Sequence, residues 1–204
     1  MCNLYKIKSS HTEVADFFDA IAQDFAANTA EEVYPGYPAP VVVAPREVSS
    51  MVWGFPLQRT GAKGQPLKPK PVNNTRTDKL KSFFWRYSFE ERRCLIPVSS
   101  FAEAEGARGA MTRTWFSMPG EPLFATAGIW RQTEEWGDAF SMIMTEANPQ
   151  VAPVHNRMPV ILPRESWEQW LTGPPHDAFR LCVPFIGALA IDRSAEPWFK
   201  PKGK

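Results

Sequence analysis

The chain of 204 residues is 44% hydrophobic, 22% charged and 13% aromatic, which points to one folded domain and excludes a disordered tail. No apolar run approaches the roughly 18 residues of a membrane span, and Met1-Cys2-Asn3-Leu4 opens no basic-then-apolar leader, so secretion and membrane insertion are not expected. Three cysteines, Cys2, Cys94 and Cys182, form no CxxC pair, so the reading is a reducing cytoplasm with no disulfide framework, metal or cofactor.

In chain order, Ser10-His11-Thr12-Glu13 resembles a capping box, and Val14, Phe17, Phe18, Ile21 and Phe25 recur at helical spacing, predicting a helix to about Asn28. Tyr34 to Pro40 reads as a turn-rich loop, followed by strands over Val41–Ala44 and Val48–Phe55. A flexible basic loop rich in Lys, Gly and Pro comes next, and Asp78 is placed to cap a short helix through Trp85. Strands are predicted around Arg93–Ile96, Ser100–Glu105, Thr112–Ser117, Leu123–Trp130 and Phe140–Thr145. A last helix over Pro163–Leu171 should stop at Gly173-Pro174-Pro175, and the tail from Pro197 is expected to be loose. Twenty prolines disfavour a helical bundle and suit short strands joined by stiff loops. The fold class is therefore a strand-rich single domain spanning residues 1–204, with no period of a solenoid or propeller.

Net charge is only +1, but its distribution is uneven. Residues 1–56 carry three bases and seven acids, whereas residues 57–93 carry ten bases and three acids. That second stretch also holds Phe83, Phe84, Trp85 and Tyr87, and bases beside aromatics suit a phosphate backbone with stacked bases. A solvated loop followed by a core-packing helix explains the same residues without a ligand.

The chemistry begins at Cys2. Removal of Met1 would leave a 1,2-aminothiol whose amine, with a pKa of about 7.7–8.0, and thiol, at about 8.5, are both partly available at neutral pH. Its natural electrophile is an aldehyde: the amine forms a Schiff base and the thiol closes onto the same carbon as a five-membered thiazolidine. The plain alternative is a chain that retains Met1 and carries Cys2 incidentally.

Three further stretches carry polar groups of the right kinds. In Val151-Ala152-Pro153-Val154-His155-Asn156-Arg157-Met158-Pro159, His155 suits a general acid or base on a rigid loop and Arg157 suits a phosphate, with an Arg157–Glu146 pair as the structural account. In Ser100-Phe101-Ala102-Glu103-Ala104-Glu105, alternation puts Phe101, Glu103 and Glu105 on one strand face, and a carboxylate beside a phenylalanine suits proton transfer. In Asn73-Asn74-Thr75-Arg76, Asn74 can orient a nucleophile while Arg76 meets phosphate; alone the segment reads as a turn.

Taken together, Cys2, Asn74-x-Arg76, Arg93-Cys94-Leu95-Ile96-Pro97 with a Glu six residues on, and Val151-Ala152-Pro153-x-His155-x-Arg157-Met158-Pro159-Val160 resemble the SOS-response-associated peptidase family, the abasic-site processing proteins. Similarity continues in Ala39-Pro40, Val52-Trp53-Gly54-Phe55 and Phe124 through Trp130, covering residues 2 to about 185. The resemblance implies a compact α+β domain on a barrel-like core, with a basic channel for single-stranded DNA and covalent attachment to abasic sites. Carried over, Cys2 is the nucleophile, Asn74 positions it, Glu103 shuttles protons, and His155 assists sugar-ring opening and crosslink reversal. Arg76 and Arg157 would bind flanking phosphates, with Pro40, Trp53 and Lys79 as further DNA contacts. The expected partner is single-stranded DNA containing abasic sites, met by a monomer in the cytoplasm that is nucleoid-associated when bound. The family's usual Cys-Gly-Arg start is here Cys2-Asn3-Leu4, and two aromatics common around its glutamate are here Ala102 and Ala104. Two other classes stand beside crosslinking. One is a cysteine peptidase, limited or not to removal of its own Met1, with Cys2 as nucleophile and His155 as base. The other is a noncovalent single-strand-binding module.

Overall fold

In the computed structural model, which describes residues 2–22 and 30–199, the alternating and valine-rich segments pair into a barrel. The chain begins with strand β1 (Tyr5–Lys6) and helix α1 (His11–Phe18). The capping box closes α1 at its start: the Glu13 amide donates to Ser10 Oγ at 3.3 Å and the Ser10 amide to Glu13 Oε2 at 2.7 Å. The helix ends at Phe18 and not near Asn28. Asp19 turns left-handed at φ 50°, and the Ile21 amide donates to the Arg46 carbonyl, drawing the chain into a short strand, β2 (Ile21–Ala22), at the edge of the sheet. Phe25 and Asn28 lie outside the described residues.

After β3 (Glu32–Val33), strands β4 (Pro38–Val43) and β5 (Glu47–Trp53) form a hairpin pairing Val42 with Val48 and Pro40 with Ser50. β4 starts three residues before Val41, inside the expected loop. Pro38 and Pro40 are tolerated because the other neighbour of β4 pairs only with Val42 and Val43, so the missing N–H groups are not needed there. The expected basic loop is instead a second hairpin, β6 (Phe55–Thr60) and β7 (Pro66–Val72). These two strands pair only with each other, so both outer edges accept Pro66, Pro69 and Pro71 without losing ladder bonds. Strand β8 (Asn74–Arg76) and a 3-10 turn over Thr77–Lys79 lead to α2 (Phe83–Glu91). Asp78 does not cap that helix, because Ser82 stands at its start and the Asp78 carboxylate accepts from Arg76 Nε at 2.8 Å.

The central strands follow the alternation: β9 (Arg93–Val98), β10 (Ser100–Glu105), β11 (Thr112–Ser117), β12 (Phe124–Thr133) and β13 (Gly137–Glu146). Then come β14 (Arg157–Pro159), β15 (Ile161–Leu162), a 3-10 turn over Arg164–Ser166 and α3 (Trp167–Thr172). Gly173 ends α3, but Pro174-Pro175 starts another helix, α4 (Pro175–Arg180), with proline in its first turn where no donor is required. A last strand, β16 (Ala190–Pro197), pairs with β11. Pro197 belongs to that strand and the Trp198 amide donates to the Met111 carbonyl, so the chain is held to this point; residues 200–204 lie outside the described residues.

Five strands close the barrel in the order β13-β12-β9-β4-β5, and β5 returns to β13 in parallel through Ala139–Val52 and Phe140–Trp53. Alternation places the fully buried Val41, Ile96, Phe140 and Met142 on one face of these strands and the buried Leu95 and Ile129 on the other. A second sheet, β16-β11-β10-β1-β3, packs beside the barrel, giving a single α+β domain. Among the described residues no helix is long and apolar enough to cross a membrane, and no cluster of His, Cys, Asp and Glu is arranged to hold a metal.

Candidate active site

Two pairings bring the chemical residues to one place. In the second sheet β1 runs antiparallel to β10, with Tyr5 opposite Phe101 and the Ala102 amide donating to the Leu4 carbonyl at 2.9 Å. Cys2 therefore lies against the strand that carries Glu103. In the barrel, β13 sets the other arms: Met142 is in register with Asn74 of β8, and Glu146 with Arg157 of β14.

Cys2 is fully buried. Its carbonyl oxygen accepts two side-chain amides, from Asn74 Nδ2 at 2.6 Å and from Asn73 Nδ2 at 3.0 Å. Its thiol donates to the Leu4 carbonyl at 3.5 Å. Burial pushes the thiol pKa well up, the negative charge of Glu103 adds to this, and the Leu4 bond and the amino-terminal charge pull weakly the other way. The resting sulfur is thus a thiol. Asn74 is itself buried, and its Oδ1 has no hydrogen-bond partner among the described residues.

Glu103 is 2% exposed and shares a face of β10 with the fully buried Phe101. Burial raises its pKa to about 7, opposed by the positive charge of the amino terminus. Such a group is protonated about half the time at neutral pH and can both give and take a proton. Glu105, two residues on, is tied to Thr114 Oγ1 and to Arg193 Nε at 3.0 Å, and these contacts hold its pKa below the usual carboxylate value. Alternation put both on one face; burial separates an acid from an ion-pair member.

His155 is half-buried. Its Nδ1 lies 3.0 Å from the Arg157 amide nitrogen and 3.1 Å from the Arg157 carbonyl oxygen, so it accepts from the first in one neutral tautomer and donates to the second in the other. Burial, the amino-terminal charge and Arg157 lower its pKa below 6.5, against a raising contribution from the Arg157 backbone contact, which keeps the imidazole neutral at pH 7. The negative charge of Glu103 acts on the Cys2 sulfur, which ties these two to one locus.

The sequence-derived DNA contacts divide. Arg76 and Lys79 are exposed, Arg76 being paired with Asp78, and Arg157 is partly exposed. Pro40 and Trp53 are buried, and neither presents a face to a strand of DNA. Trp53 is structural: its Nε1 donates to the Asn73 carbonyl at 3.0 Å, and its ring meets Tyr5 edge-on at 4.8 Å. Arg93 of the Arg-Cys-Leu-Ile-Pro motif is also structural, donating to the carbonyls of Phe89, Glu90, Trp170 and Gly173. The departures from the family pattern pack together. Leu4, in place of an arginine, is buried against Ala102 and Trp115, and the small Ala102 leaves room for it.

Two adjoining clefts run along the β6–β7 hairpin, the first of them reaching Asn74. One, of about 420 Å³, is lined by Asn3, Leu57, Lys70, Val72, Asn73 and Asn74, with Pro35 and Pro71. The other, of about 350 Å³, shares Pro35 and Pro71 and adds Tyr37, Lys68 and Trp136. Together they form a track along the basic hairpin, with aromatic and cationic walls. Sequence reasoning missed Asn73, which reaches the Cys2 carbonyl across 71 positions, and Tyr37 and Trp136, which meet residues of the β6–β7 hairpin in the second cleft.

Comparison with known proteins identifies the family and the fold. The family described as SOS response associated peptidase (SRAP) matches residues 1–191. The abasic site processing protein YoaM of Bacillus subtilis (strain 168) is 25% identical over 185 residues, 84% of this chain and 79% of its own length. Crystal structures of proteins from Bordetella bronchiseptica and Bacteroides thetaiotaomicron share the fold, with TM-scores of 0.80 and 0.79 at 22% and 20% identity. The first covers 95% of this chain and 99% of its own, the second 94% and 91%.

Proposed function

The chain belongs to the SOS response associated peptidase family, and we propose from that premise that it processes abasic sites in single-stranded DNA by linking to them covalently through Cys2 once Met1 is removed. The observation that carries the reading is the buried Glu103, with a pKa near 7, acting on a Cys2 whose carbonyl is held by two asparagines.

An abasic sugar is mostly a closed hemiacetal, so it must open before it can react. Neutral His155 is suited to take the C1′ hydroxyl proton at its unprotonated ring nitrogen as the bond from C1′ to the ring oxygen breaks, and to return that proton to the ring oxygen, giving the aldehyde. The Cys2 α-amine adds to C1′, and protonated Glu103 gives its proton to the departing hydroxyl, so that one water leaves and a protonated imine forms. The now ionised Glu103 takes the thiol proton as sulfur adds to C1′, which neutralises the nitrogen and returns Glu103 to its protonated form. The product is a thiazolidine, formed with net loss of one water. This order needs a free amine and a thiol that ionises only as it attacks.

A peptidase needs a standing thiolate, and burial acts against one at Cys2. The charged side chain that acts on the sulfur is moreover Glu103, which suits the shuttle better than a cysteine–histidine pair does. Arg157 and Arg76 would meet phosphates either side of the lesion, Arg76 exchanging an exposed and therefore weak Asp78 pair for phosphate. The hairpin track would take the neighbouring nucleotides.

The test is incubation with single-stranded DNA carrying one abasic site, followed by intact mass and peptide mapping. The expected product is a heat-stable adduct on Cys2 in a chain lacking Met1. Protein confirmed to lack Met1 that forms no adduct rules the reading out.

A further inference from the structure

We infer that Asn73 is a positioning residue that governs closure of the thiazolidine ring, acting with Asn3 as the second arm of a clamp on the Cys2 carbonyl. The inference rests on the crosslinking reading above. The Cys2 carbonyl accepts at both lone pairs, from Asn74 at 2.6 Å and Asn73 at 3.0 Å. One donor alone leaves the peptide plane free to pivot about that bond; two donors from successive residues fix it. Asn73 is held at three further points. Its own carbonyl accepts from the Trp53 indole at 3.0 Å and from the Met142 amide at 2.9 Å, and its Nδ2 also donates to Asn3 Oδ1 at 3.1 Å. The clamp is thereby anchored to the barrel through β13 and through the fully buried Trp53.

The orientation matters because a 1,2-aminothiol must present two atoms to one carbon. The Cys2 carbonyl is bonded to the same Cα that bears the amine and the CH₂–S arm, so fixing the carbonyl plane limits the directions in which both nucleophiles point. Imine formation uses nitrogen alone and tolerates some rotation. Ring closure requires sulfur to approach the imine carbon while nitrogen is already bonded to it, and is the more sensitive step.

The experiment uses the full chain with Met1 confirmed absent and single-stranded DNA bearing one abasic site, quenched with borohydride at increasing times. Reduction traps an imine as an amine two hydrogens heavier than the thiazolidine, so mass spectrometry of the Cys2 peptide gives the ratio of open to closed adduct. At saturating DNA, Asn73→Ala should form thiazolidine about 3- to 10-fold more slowly, the rate equivalent of one neutral hydrogen bond, with an increased trapped-imine fraction. Asn73→Asp, nearly isosteric but without the amide donor, should behave alike while retaining thermal stability, which separates loss of the clamp from loss of the fold. Asn3→Ala should slow closure about 2-fold, and add nothing in an Asn73→Ala background. Wild-type rate and imine fraction in a folded Asn73→Asp would overturn the clamp while leaving crosslinking in place. No Cys2 adduct in the wild type would overturn the crosslinking reading and the clamp with it.

Discussion

Beside the fully buried Cys2, Glu103 and Asn74 are enclosed. The neighbouring β6–β7 hairpin carries Arg59, Lys63, Lys68 and Lys70, all exposed, and no acid. In the first region low polarity lifts pKa values and makes every hydrogen bond specific, so its contributions are large, local and little screened. In the second, water and salt weaken each charge, so its contributions are small and roughly additive. The same distinction separates Glu103 from Glu105 on one strand, and it assigns chemistry to the enclosed region and capture of the strand to the open one.

The largest effect that would sharpen this division is at Cys2. Cys2→Ala should abolish the heat-stable adduct while sparing weak, salt-sensitive binding of single strands, measured by gel and by anisotropy. Equal crosslinking by the variant would break the division at once.

Next comes Glu103→Gln, expected to slow adduct formation by about 10² or more, the usual contribution of a positioned acid–base group. The same substitution should act oppositely on stability. Because burial raises the folded-state pKa of Glu103 from 4.5 to about 7, the carboxyl favours folding fully only below pH 4.5, and that contribution is lost as pH rises through about 7. Glutamine resembles the protonated form. Melting scans should therefore find the variant more stable than wild type at pH 8.5, by at most a few kcal/mol, with the gap closing near pH 5. A variant less stable at pH 8.5 would mean that Glu103 is stabilised as a carboxylate.

What sequence alone conveys follows the same line between local and distant causes. The Ser10–Glu13 box and the alternating β10 and β11 were readable because their determinants lie within a few residues. Strand β16 was not, because Ala190–Pro197 is exposed along nearly its whole length and has no apolar alternation to read. The hairpin was hidden by Pro66, Pro69 and Pro71, which read as a loop until its strands are known to pair only with each other. At the site, Cys2, Asn74, Glu103 and His155 were legible as residue types in a recurring order. Asn73 was not, since its contact with Cys2 spans 71 positions and exists only after β8 registers on β13. Trp53 was assigned to DNA by the motif around it, whereas closure of β5 on β13 buries it.

That correction yields a smaller prediction. Trp53→Phe keeps most of the ring packing but removes the indole N–H that braces Asn73. It should lower stability by about 1–3 kcal/mol, mainly through the carbonyl acceptor it leaves short of a donor, with unchanged affinity for intact single-stranded DNA. Weakened binding at full stability would return Trp53 to the DNA surface.

The smallest effects belong to the hairpin, where they are informative because they should be small. Lys68 and Lys70 line the two adjoining clefts, and neither has an ion-pair partner among the described residues. Each exposed ammonium that meets a phosphate releases condensed counterion, so removing one should lower single-strand affinity by about 2- to 3-fold at low salt and flatten the log–log salt slope by about 0.7. Lys68→Ala and Lys70→Ala should then differ from wild type most at low ionic strength and converge with it as salt rises. At saturating DNA their crosslinking rates should match wild type, because an ammonium on the hairpin has no bond to Cys2 or to the groups that hold it. A slope unchanged in the double variant would move the strand off this track. A crosslinking rate that fell at saturation would instead mean that the hairpin sets the geometry of attack, and would join the two regions that burial and exposure otherwise divide.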